Sequence, residues 1–142
     1  MMESTLWAKA HGATTHFPLA LALCSVACDV VGFALERRPI GRELRAVGYW
    51  TMILGTLGTG PAVLSGLLMT KGTLLGHDAL RLHHLFVWPA FALLVGLGTW
   101  RALQGRTATP RRVFAGYLIL AGIAAGLVTA AAYWGGEMML AR

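Results

Sequence analysis

The sequence predicts an all-α membrane protein whose four transmembrane helices form an up-down bundle with both termini on the periplasmic side. Three observations predict it. Hydrophobic residues fill 56% of the 142 positions and charged ones only 13%, leaving too little polar surface to coat a soluble domain. The apolar residues gather into four runs, roughly 15–35, 46–70, 80–103 and 113–134, each about the 20 residues a helix needs to cross hydrocarbon. They are too long for barrel strands and lack a barrel's alternation, so helices are the way for this backbone to satisfy its polar groups in lipid. Finally, the basic residues fall between the runs or at their ends. The whole of 1–142 therefore reads as a single four-helix transmembrane domain, with no soluble portion for separate chemistry.

The first run holds Pro18 near its start, where a missing N–H costs little, and Cys24 and Cys28, one turn apart on one helical face. These cysteines are expected as small packing residues, because Cys-x-x-Cys-His, which attaches c-type haem, is absent. Charged residues follow the run and three more runs come after it, so it is expected to stay in the protein rather than to act as a cleaved signal. The second run contains Pro61 and the glycines 48, 55, 58, 60 and 66; small residues at such intervals let membrane helices approach closely. The third opens with Arg81-Leu82-His83-His84 and holds Pro89. In the fourth, Gly122, Gly126 and Thr129 make a small-residue stripe, so this helix too is expected to pair tightly.

Between the first and second runs lie Arg37, Arg38, Arg42 and Arg45, and from the end of the third run to the start of the fourth lie Arg101, Arg106, Arg111 and Arg112. The other side carries only Lys9, Lys71, Arg81 and Arg142. An excess of eight over four places the arginine-rich ends in the cytoplasm and both termini outside, which for a bacterium means a multi-pass inner-membrane protein. The formal net charge of +6 is thus a topology signal. It makes no basic face and predicts no nucleic-acid partner.

All five histidines fall at the outer end: His11 and His16 beside the start of the first helix, His77, His83 and His84 beside the start of the third. Parallel helices with histidines at one depth can hold haem b by two axial imidazoles. His16 shares a stripe with Ala20, Cys24 and Ala27, and His84 with Trp88, Ala92 and Gly96, so His16 and His84 are the expected ligand pair, followed by His83, with His11 and His77 in reserve. Zinc or copper would use three or four of the same residues, with Asp78 or Glu137, though no dedicated spacing is present. Asp29 lies inside the first span, where a charge is normally paired or functional; its expected partner is Tyr49, Thr51 or Arg101, with a proton relay as the sharper alternative. Glu137 stands level with the histidines and could hold an imidazole N–H.

The segment HGATTHFPLALALCSVACDVVGFAL resembles the bacterial membrane-protein family known as domain of unknown function 2231. The likeness rests on His11, His16, Phe17, Pro18, Asp29, Gly135 and Gly136, with the third-helix histidines also fitting, and covers most of the chain. Some relatives are joined to Rieske-type iron–sulfur domains, so the resemblance implies electron-transfer company, and the layout is similar to small cytochrome b subunits. The resulting expectation is a cytochrome b-type electron-transfer or anchor subunit with one haem b near the periplasmic face. It would serve periplasmic or membrane redox subunits, or quinone, and not be an enzyme by itself. The rival expectations are a cofactor-free structural subunit of a larger membrane complex and a periplasm-facing copper or zinc protein.

Overall fold

The computed structural model describes residues 2–105 and 109–140, so Arg106 and Arg142 lie outside the described residues. It contains α1 (Met2–Ala34), α2 (Pro39–Met69), α3 (Asp78–Gln104) and α4 (Arg111–Leu140), all four long and apolar enough to cross a membrane. Each helix outruns its apolar stretch. The largest difference is at α1, which starts at Met2 rather than near residue 15 because Leu6, Ala8, Lys9 and Ala10 are good helix formers outside the hydrocarbon pattern. Pro18 therefore sits in the interior of α1, not in its first turn.

The chain folds as two antiparallel hairpins, α1 on α2 and α3 on α4, joined along narrower α2–α3 and α1–α4 seams. The parallel helices α1 and α3 lie diagonally across the bundle.

The first hairpin closes on small residues at seven-residue spacing, the repeat that keeps one seam facing a partner helix. His11, Pro18, Ser25 and Gly32 of α1 meet Ala62, Gly55, Gly48 and Gly41 of α2 in four successive rungs. At the ends, the His11 ring reaches the Ala62 carbonyl at 3.0 Å, and Gly32 and Gly41 touch backbone to backbone. Between them, Ser25 Oγ donates to the Gly48 carbonyl at 2.8 Å, and Gly55 lies against the Pro18 carbonyl and Leu21. A Cβ at Gly41 or Gly48 would run into Leu35 or the Asp29 carboxylate, so these glycines are needed for the close approach.

In the second hairpin alanine takes glycine's place. Phe114, Tyr117, Ala121 and Ala124 of α4 are buried at alternating three- and four-residue steps, with Ala131 buried seven residues further on, and Leu94 and Leu97 of α3 share the core of the first four. The expected stripe of Gly122 and Gly126 makes no such contact: neither has any atom within 4 Å of where a Cβ would stand. Cys24 is likewise exposed and Cys28 half-buried, 4.0 Å apart on the outward side of α1, because the seam runs through Ala22, Ser25 and Asp29 instead.

At the end of α2 the N–H of Gly72 returns to the Leu67 carbonyl and that of Lys71 to Leu68, the paired bonds of a Schellman stop. Lys71 takes the left-handed position of that stop at φ +53°, and Gly72 follows at φ +80°, a conformation glycine adopts without strain. The following loop is tied to α3 by Trp88 Nε1–H, which donates to the Leu74 carbonyl at 2.7 Å.

Candidate functional site

At the end of the bundle where α1 and α3 begin, all four helices line a cavity of about 540 Å³, within the range of small-molecule and cofactor sites. Its walls are mostly apolar, with Leu19, Val87, Phe91 and Val128 among them, and its polar groups are chiefly imidazoles. Four aromatic rings follow one another there. The centres of His11 and His83 are 6.5 Å apart, those of His83 and His84 5.7 Å, and those of His84 and Trp88 6.0 Å.

Two of these imidazoles are fixed in the same way from opposite sides. His11 Nδ1 meets the Ala62 carbonyl of α2 at 3.0 Å, with Ser65 Oγ 3.2 Å away. His83 Nδ1 meets the Ala131 carbonyl of α4 at 2.7 Å. A carbonyl can only accept, so both rings carry their proton on Nδ1 and leave Nε2 as a lone pair. Gly66 lies against the edge of the His11 ring and Gly135 against that of His83; a side chain at Gly66 would push the His11 ring aside. His84 is only 6% exposed, and its Nδ1 is buried with no hydrogen-bond partner, a costly state for a polar atom.

The pair held across the cavity is thus His11 and His83, where the stripes had favoured His16 and His84. His16 is exposed, turns its Nδ1–H back to the Gly12 carbonyl of its own helix, and reaches only the rim. His84 faces inward as expected. His77 is the exposed N-cap of α3, and Glu137 is exposed without a hydrogen bond or ion pair among the described residues. The role foreseen for Glu137, holding an imidazole N–H, is filled by backbone carbonyls. Among the described residues no three His, Cys, Asp or Glu side chains are grouped closely enough to hold a metal ion.

A second polar cluster occupies the arginine end. Asp29 is completely buried; Arg101 Nη2 donates to its Oδ1 at 3.2 Å and the Tyr117 hydroxyl to its Oδ2 at 2.9 Å. The same Arg101 nitrogen reaches the Arg45 carbonyl at 3.3 Å, and its guanidinium lies 4.9 Å from the centre of the Tyr117 ring. Of the three partners foreseen for Asp29, Arg101 is the one it has, and Tyr117 joins from α4. Arg101 is therefore an interior residue, 5% exposed, not part of the loop. Between the clusters lies an apolar layer containing Ala22, Met52 and Leu94.

Both clusters fall within residues 9–141, the stretch matched by a family model described as Predicted membrane protein (DUF2231). The chain belongs to the DUF2231 family. No curated protein and no solved structure matches this DUF2231 protein. What the family establishes is a predicted membrane protein, in agreement with the four apolar helices.

Proposed function

We propose that this DUF2231 protein is a cytochrome b-type membrane subunit in which His11 and His83 would hold one haem b at the histidine end. The carrying observation is the matched fixation of these two rings. Each has Nδ1–H on a backbone carbonyl, the arrangement that orients metal-ligating histidines, and their centres are 6.5 Å apart. The unpartnered Nδ1 of buried His84 lies on the wall of the same cavity and also suits a bound group there. Bound haem would supply one-electron chemistry, its potential set by these ligands and the apolar wall. Ala62 and Ala131 hold the tautomers, Gly66 and Gly135 leave the rings room, and Phe91, Leu19 and Val128 exclude water.

Zinc or copper held by histidine alone is less well supported, since such sites take three or more protein ligands and the described residues offer no such group. Electron exchange would be with a periplasmic or membrane redox partner, or with quinone, in the bacterial inner membrane. A single haem near one surface does not span about 30 Å of hydrocarbon, so the reading is a carrier or anchor and not a complete enzyme.

A second reading rests on the same two hydrogen bonds: His11 joins α1 to α2 and His83 joins α3 to α4, which suits a cofactor-free structural subunit. An absorption spectrum separates the two. The purified protein, expressed with haem available, is expected to show a Soret band and a sharp reduced-state α band. Both should be lost in His11→Ala and in His83→Ala and kept in His16→Ala. A colourless wild type, with metal analysis also negative, leaves the structural reading. Full haem retention in the His11→Ala/His83→Ala double variant refutes this ligand pair.

A further inference from the structure

At the arginine end, outside the buried Asp29 cluster, a concave pocket of about 550 Å³ is lined by Ala34, Leu35, Glu36, Arg37, Arg38 and Arg111. Three guanidinium groups and one carboxylate leave it with a formal charge of +2, and Arg37, Arg38 and Arg111 are all exposed. One of the three is pre-set: Arg111 pairs with Glu36 and lies 4.3 Å over the Phe33 ring. That pairing neutralises Glu36 and leaves Arg37 and Arg38 to face an incoming anion.

The position of the pocket narrows the ligand. It lies at the α1–α2 turn beside the start of α4, and Val31, Ile40 and Val113, each within three residues of a lining residue, have exposed apolar side chains. A bound molecule would thus meet guanidinium groups at one end and a lipid-facing apolar surface just beyond. Arginine matches phosphate oxygens with paired N–H donors, and basic pockets between membrane helices suit acidic lipid head groups. We infer that this pocket binds a phosphate-bearing anion, supplied as the head group of an acidic phospholipid, with Arg37 and Arg38 as its principal contacts.

The test titrates the detergent-purified full chain with phosphatidylglycerol and follows its Tm, with phosphatidylcholine and soluble glycerol phosphate as parallel arms. Phosphatidylglycerol is expected to raise Tm saturably, and phosphatidylcholine to leave it unmoved. In Arg37→Gln/Arg38→Gln, which alters only exposed loop side chains, the midpoint of the titration should move about tenfold to higher lipid. Arg42→Gln removes an exposed charge at the same end but outside the pocket, and should leave the midpoint in place. An unchanged midpoint in the double variant, or an equal loss in Arg42→Gln, overturns the site. An equal, saturable rise with glycerol phosphate overturns the lipid and assigns the pocket to a soluble phosphate ester.

Discussion

Asp29 and Arg101 show what a single buried charge demands of a membrane helix. A carboxylate with no exposed surface persists in hydrocarbon only if the charge is matched and its lone pairs are occupied, and here Arg101 and Tyr117 do both from two other helices. Removing one partner is therefore worse than removing both. Arg101→Met leaves Asp29 without its ion-pair partner and is expected to cost about 3–5 kcal/mol. Adding Asp29→Asn, which still accepts from Tyr117 without carrying a charge, should restore most of that loss. Thermal unfolding of the four proteins in detergent reads the cycle; a double variant less stable than Arg101→Met would show that the ion pair is not what ties these residues together.

The helices were legible as apolar runs, but their faces were not, because small residues mark a packed face only when they fall on its period. On α1, the stripe of His16, Ala20, Cys24 and Ala27 is made mostly of small residues, yet all four are exposed. The better guide was Asp29, which has to point inward. Counting back from it by 18 residues, five turns of about 3.6, arrives at His11, and the same count from Arg101 arrives at His83. The ion pair thus specified which histidines meet across the bundle, and hydropathy carried no trace of it. The start of α1 was missed for a different reason: a run of hydropathy ends at the lipid boundary while the helix continues. On α4, Gly122 and Gly126 have nothing packed against them, and alanines carry the seam. The contrast is measurable. Gly48→Ala drives a methyl into the Asp29 carboxylate and is expected to cost about 1–3 kcal/mol. Gly122→Ala meets open space and should stabilise the isolated chain by about 0.5–1 kcal/mol through helix propensity. Equal losses of Tm in the two variants would mean that the α4 glycines are covered by something outside this chain.

Over the whole molecule, the diagonal pair α1 and α3 meets twice, at His11–His83 and at Asp29–Arg101. The 18-residue separation corresponds to about 27 Å of helix, close to the roughly 30 Å of the hydrocarbon. One polar cluster therefore sits near each surface, and the direction in which the protein is inserted decides which compartment the histidine cavity serves. Two of the eight arginines counted toward that direction are drawn inward: Arg101 is buried against Asp29 and Arg45 lies 3.9 Å over the Phe114 ring. The remaining six still outnumber the four basic residues of the other end, and loop lysines and arginines, not net charge, set orientation. The histidine end is thus expected to face the periplasm. In a Cys24→Ala/Cys28→Ala background, Lys71→Cys in the exposed α2–α3 loop should react with a membrane-impermeant maleimide in intact cells. Arg42→Cys, exposed near the start of α2, should react only after the inner membrane is opened. The reverse pattern would put the cavity in the cytoplasm, and any redox partner of a haem held there would have to be sought on that side.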